Sequence, residues 1–148
     1  MKQQTEFNAY AFLSGVNGLV RRMRKELPDK ELSLTERMAL LLIFQQKEML
    51  PSQLASAANL SGQLSSKVIN NLVRLGYVEK RVSPGDKRKC FITITVKGEQ
   101  RLEASRKKAN EWFLSLVEKT LNDSEISLLG PTSQILRKLT GQDSVNSN

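Results

Sequence analysis

A chain of 148 residues has room for one core-bearing domain and little for a second. With 39 % apolar and 26 % charged residues it reads as a folded globular protein, and its longest apolar run, Met38 to Phe44, is too short to span a bilayer. Its formal charge of +8 comes from 23 Lys and Arg against 15 Asp and Glu, a surplus that excludes a preference for cationic partners and points towards polyanions.

In chain order, the first segment, from about Gln4 to Leu27, has Phe7, Leu13, Val16, Val20, Met23 and Leu27 on one apolar stripe at helical spacing. Arg21, Arg22, Arg24 and Lys25 complement the dipole of its last turn, and Pro28-Asp29 ends it. Ser33-Leu34-Thr35-Glu36 is a capping-box pattern, with Thr35 a rival cap, and a helix follows to about Lys47. There Met38, Leu41, Leu42 and Phe44 are expected to be largely buried. Pro51-Ser52 opens a short helix through Ala58, and Asn59-Leu60 makes a turn. Ser61 caps a helix to about Leu75, which Gly76 stops.

The period then changes from helical to alternating. Residues Tyr77 to Val82 read as a strand, Ser83-Pro84-Gly85-Asp86 as a turn, and Cys90 to Thr95 as a β-branched return strand with Cys90, Ile92 and Ile94 on its inner face. A long helix extends from about Val96 to Leu121. Asn122 and Glu125 form a capping box for a last helix, which Gly130-Pro131 should kink or break. From Gly141 the chain is a polar, aperiodic tail, expected to fray.

The charge surplus is local. Twelve basic and four acidic side chains lie between Lys67 and Lys108, and the rest of the chain carries eleven of each sign. A merely solvated basic face is the plainer alternative, but the order of elements is that of a winged helix-turn-helix: short helices, then a two-stranded ribbon with a basic tip. The Ser61–Leu75 helix packs Leu64, Val68, Ile69, Leu72 and Leu75 inward. It offers Gln63, Ser65, Ser66, Lys67, Asn70, Asn71 and Arg74 outward, groups that bond to base edges and phosphates. Lys80 and Arg81 climb the ribbon, and Lys87, Arg88 and Lys89 crowd its tip, fit for phosphates or a minor groove. Asp86 is expected to orient Arg88.

These residues resemble the MarR-type regulators. The resemblance is carried by Leu60-Ser61, Leu72, Leu75-Gly76-Tyr77-Val78-Glu79-Lys80-Arg81, Asp86-Lys87-Arg88 and Ile94-Thr95-Val96-Lys97-Gly98. It covers about Leu34 to Arg101 closely and the flanking helices by layout. It implies a mainly α fold with a small antiparallel β-wing: a DNA-binding lobe over 33–96, dimerisation helices over 1–32 and 97–141, and a tail at 142–148. It also implies a homodimeric, sequence-specific regulator of transcription, more often a repressor, with double-stranded DNA as partner. Arg88 then reaches the minor groove, Asp86 braces it, and Ser66 and Lys67 enter the major groove. Three departures stand out: Gly62 where the family favours a better helix starter, Lys67 in place of Arg, which loses a bidentate fork and favours a phosphate role, and a Gly130-Pro131 break within a dimer-forming helix.

Dimerisation has its own support. Phe7, Val16, Val20 and Met23 at one end, with Trp112, Phe113, Leu116, Val117, Ile126, Leu129, Ile135, Leu136 and Leu139 at the other, are more apolar than outer helices of a small domain need. In the family a small aromatic or anionic effector can bind between dimer helices and lobe, with Arg21, Arg24 and Arg37 as candidate contacts here.

The absence of histidine removes Ser-His and Cys-His catalysis and the commonest transition-metal ligand. No phosphate loop, paired-cysteine motif or metal-spaced carboxylate cluster occurs, so no enzyme, cofactor or metal is expected. A winged helix used on RNA or on a protein is the alternative reading. Its aromatic candidates, Tyr77 and Phe91, read better as core. The lone Cys90 rules out an intrachain disulfide and, with no signal-peptide layout, places the chain in the cytoplasm with no membrane partner. Its alternation with Ile92 and Ile94 makes it a buried structural thiol rather than a redox sensor.

Overall fold

The computed structural model describes residues 7–141. The helix start expected at Gln4 and the tail expected over 142–148 lie outside the described residues. Helix α1 (Ala9–Glu26) is capped by Asn8, whose side chain accepts the Ala11 amide at 3.0 Å. Then come α2 (Leu34–Gln46), β1 (Glu48–Met49), α3 (Pro51–Ala57), α4 (Gly62–Arg74), β2 (Val78–Val82), β3 (Cys90–Ile94), α5 (Val96–Thr120) and α6 (Asp123–Leu139). The chain divides into two compact units, one up to Lys108 and one from Ala109 onward, the boundary falling within α5.

In the first unit the lobe closes a core of Leu32, Leu40, Ile43, Leu54, Ile69, Leu72, Tyr77, Val78 and Ile92. Ser33 is the α2 cap, and Thr35 is not: the Ser33 hydroxyl accepts the Glu36 amide at 3.2 Å and Glu36 accepts the Ser33 amide at 2.7 Å. The inner side of α2 differs from expectation. Ala39, Leu40 and Ile43 are the buried residues, whereas Met38 is 50 % exposed, Phe44 is 38 % exposed, and Leu41 and Leu42 are half-buried. Seven consecutive apolar residues have no period, so their order could not show which face turns inward.

The sheet has three antiparallel strands, β1-β3-β2, rather than two. Two-residue β1 pairs Met49 with Ile92 and so ties the start of the α2–α3 turn to the wing strand. Strand β2 pairs with β3 from Val78↔Ile94 to Val82↔Cys90. Gly76, at φ 79°, reverses the chain after α4, a conformation that a side chain would strain. Thr95 caps α5, accepting the Gly98 amide at 3.1 Å while its hydroxyl donates to the Gly76 carbonyl at 2.6 Å. Gly98 lies against the backbone there: a Cβ would come within 2.2 Å of the Tyr77 carbonyl oxygen.

A half-buried ionic cluster joins three segments of this unit. The Arg101 guanidinium donates to Asp29 and Ser105, and its Nε to Glu31 at 3.2 Å; the Tyr77 hydroxyl donates to Glu31 at 2.7 Å. Burial opposes the Asp29 charge, but the Leu32 amide, Arg101 and the Glu31 amide outweigh it and hold its carboxyl below the usual aspartate range. The Tyr77 hydroxyl and Arg101 do the same for Glu31.

In the second unit, Asn122 caps α6 with the expected box, accepting the Glu125 amide at 3.0 Å. Helix α6 runs uninterrupted through Pro131 to Leu139, so the break expected at Gly130-Pro131 does not occur. The exposed proline forfeits one backbone bond inside the helix, and the chain continues past it. No helix among the described residues is long and apolar enough to cross a membrane.

Candidate nucleic-acid interface

Helix α4 starts where Ser61 accepts the Leu64 amide at 3.2 Å, after a turn in which Asn59 takes φ 53°. Its inner side is Ser65, Val68, Ile69 and Leu72, a spacing of three, four and seven. Ser65 thus belongs to the core side, contrary to expectation. It is 2 % exposed, and its hydroxyl faces the Pro51 carbonyl at 3.4 Å, where only a small side chain lets α3 and α4 approach. Leu64 is displaced the other way, being 43 % exposed rather than packed. Leu75 is half-buried against the core as expected.

The outward side of α4 carries Gln63, Ser66, Lys67, Asn70 and Arg74, all exposed. Asn71 is only half-buried and is engaged by neighbours. Its Nδ2 donates to Glu36 on α2 at 2.6 Å, and its Oδ1 accepts from Arg74 Nε at 3.1 Å and Nη2 at 2.6 Å. Burial works against the Glu36 charge, but the Ser33 amide and the Asn71 amide overcome it and keep its pKa below the ordinary glutamate value.

The wing extends from this helix. Lys80 Nζ donates to Asn70 Oδ1 at 3.0 Å, which fastens the root of β2 to α4. Arg81 pairs with Glu79 on its own strand at 2.6 Å. Beyond Val82 the Ser83 amide donates to the Lys89 carbonyl at 2.9 Å and the Lys89 amide to the Asp86 carbonyl at 3.0 Å, closing a tip on which Lys87, Arg88 and Lys89 are all exposed. Asp86 does order this tip, though through the backbone: its carboxylate accepts the Arg88 amide at 3.0 Å, and the guanidinium is left outside that bond. Cys90 is half-buried rather than buried, and Phe91 is likewise half-buried; Tyr77 is core.

Among the anion candidates, Arg37 lies 4.0 Å from Asp29 at the edge of the ionic cluster, with its Nε buried, and Arg21 and Arg24 are exposed on α1. No group of three or more potential metal-ligating side chains gathers among the described residues. The contacts that sequence reasoning missed, Glu36–Asn71 and Asn70–Lys80, have one long-range or cross-element partner each. The only signal for the buried Ser65 was its spacing from Val68, Ile69 and Leu72.

A three-stranded sheet, a capped outer helix packed against α2 and α3, and a basic hairpin make this a winged helix-turn-helix protein. The MarR family profile matches residues 31–89. An HTH-type transcriptional regulator of Mycobacterium leprae is 27 % identical over 121 residues, 82 % of this chain and 84 % of its own length. Among solved structures, a transcriptional regulator protein from Pseudomonas aeruginosa superposes with a TM-score of 0.78 at 23 % identity, covering 90 % of this chain and 92 % of the other. A Staphylococcus aureus MepR variant, bound to an oligodeoxyribonucleotide, superposes with a TM-score of 0.67 at 20 % identity, covering 90 % and 99 %. Over residues 31–89, within the winged lobe, the chain is similar to the MarR family.

Proposed function

We propose that the protein binds a palindromic site on duplex DNA as a homodimer and regulates transcription there, as a repressor. The observation that carries this reading is the exposed polar side of α4 joined at its root to a wing with three consecutive exposed cations. A major groove admits one α-helix, and Gln63 and Ser66 near the α4 start are the base-reading candidates there. Lys67, a point charge without a fork, suits a phosphate. Arg74, Lys80, Arg81, Lys87 and Lys89 add backbone contacts, Arg88 enters the minor groove, and Asn70 and Asn71 belong to the same contact surface. The DNA-bound MepR variant of like fold supports carrying the mode over.

The dimer reading draws on α1 and α6, in which no residue is buried. Phe7, Val16, Ile126, Ile135 and Leu139 are exposed, and Val20, Met23, Trp112, Leu116, Leu129 and Leu136 are half-buried. An isologous partner would cover them and set two α4 helices about 34 Å apart. Site selection from random duplexes, paired with sedimentation of the protein alone, tests both parts. An inverted-repeat consensus and a particle of twice 16.7 kDa are expected. A monomer, or a selection that enriches no duplex over the starting pool, would overturn the reading.

A further inference from the structure

Asparagine reads adenine by presenting its amide oxygen and nitrogen together to one base edge. Asn71 has no amide oxygen free for that: its oxygen accepts two N–H bonds from Arg74, and one of its nitrogen's two N–H groups donates to Glu36. Glu36 is itself fixed, because its other carboxylate oxygen closes the α2 capping box on the Ser33 amide. A continuous chain of bonds therefore runs from the start of α2, through a half-buried amide, to an exposed guanidinium. Arg74 stands four residues after Asn70, seven after Lys67 and eleven after Gln63, on the outward side of α4. Two of its five N–H groups are spent on Asn71, and three remain to grip an anion.

We infer that Asn71 and Glu36 are positioning residues that hold the Arg74 guanidinium ready for a DNA phosphate, and that neither reads a base. The inference rests on the duplex-binding reading above. An unrestrained arginine on a helix surface explores many rotamers and gives them up when a phosphate fixes it. Here the planar fork is already oriented by two converging bonds to one oxygen, and the amide that carries this oxygen is held by Glu36 from a second helix. Asn70 is engaged in a similar way, with its oxygen on the wing's Lys80, so the consecutive asparagines organise cations on both sides of the contact surface.

The test is a double-mutant cycle in duplex binding by the full chain over a salt series, with thermal melts of each variant. Arg74→Ala is expected to lose about tenfold in affinity and to lower the salt slope by about one. Asn71→Ala should lose roughly three- to tenfold with the wild-type slope, and the double variant should bind no worse than Arg74→Ala alone. Glu36→Gln, which keeps an acceptor for Asn71, should bind as wild type; Glu36→Ala should weaken binding only while Arg74 is present. Additive losses in the double variant, or a changed base preference in Asn71→Ala, would overturn the inference while leaving duplex binding standing. A wild-type protein that shifts no duplex would remove the underlying reading, and this inference with it.

Discussion

Between Leu32 and Leu102 the winged lobe closes a core of its own, with Leu40, Ile43, Leu54 and Ile92 wholly inside, whereas α1 and α6 bury no residue and present Leu13, Val16, Ile135 and Leu139 outward. The helices α1, α2, α4 and α6 are all regular and capped by a side chain at the start, so local propensity does not separate the two regions. What separates them is where the partner surface comes from. The lobe finds it within 70 residues of its own chain, and the outer helices are left with apolar stripes that a second copy would cover. On the proposed reading, the first region stands alone and meets a nucleic acid, and the second meets another copy of the chain.

The contrast should break first at Gly98. Gly98→Ala sets a methyl against the Tyr77 carbonyl and should cost more than about 3 kcal/mol, unfolding the lobe in a circular-dichroism melt. In α6, Gly130→Ala meets open space and should instead stabilise by up to about 1 kcal/mol. Next in size, Leu40→Ala should cost about 2–5 kcal/mol in denaturant titrations. Ile135→Ser with Leu139→Ser removes no core side chain and should raise the dimer dissociation constant at least tenfold in sedimentation equilibrium. If the double variant sediments as wild type, the outer helices are not the self-association surface. Arg88→Ala should weaken duplex binding about tenfold with fold and dimer intact, and Lys67→Ala should weaken it less and evenly across sequences.

The smallest effect is on pH. Asp29, Glu31 and Glu36 have native pKa values below their ordinary 3.8 and 4.5, so the unfolded chain binds more protons than the native one in that range. Their stabilisation is complete above about 4.5 and is lost as pH falls through the lowered native values. The melting temperature should therefore drop on acidification below pH 4.5, and Arg101→Met should flatten that drop; an equally steep fall in the variant would exclude the ionic cluster as its source.

Much of this architecture was legible in short stretches of sequence because its determinants are local. Ser33 with Glu36, Ser61, Gly76 and Asn122 with Glu125 each act on neighbours within four residues, and the strand alternation about Pro84-Gly85 shows the ribbon directly. The errors arose where structure depends on distant parts. The buried side of α2 was hidden by apolar residues all round, and β1 is too short to alternate. The hydroxyl of Ser65 points to an outward role by its chemistry, whereas its angular position with Val68, Ile69 and Leu72 sets it inward. Asn71 lies on the polar side of α4 by spacing, and its bond to Glu36, 35 residues away, has no local signal. Pro131 shows that a strong local breaker is tolerated on the exposed side of a helix.

Hydroxyl-radical and methylation footprinting of a selected duplex at low salt bears most directly on the central claim. The account predicts two protected major-groove segments about 34 Å apart, related by a two-fold axis and flanked by minor-groove protection that Arg88→Ala abolishes. A single asymmetric footprint, or a protected minor groove unchanged by Arg88→Ala, would contradict it.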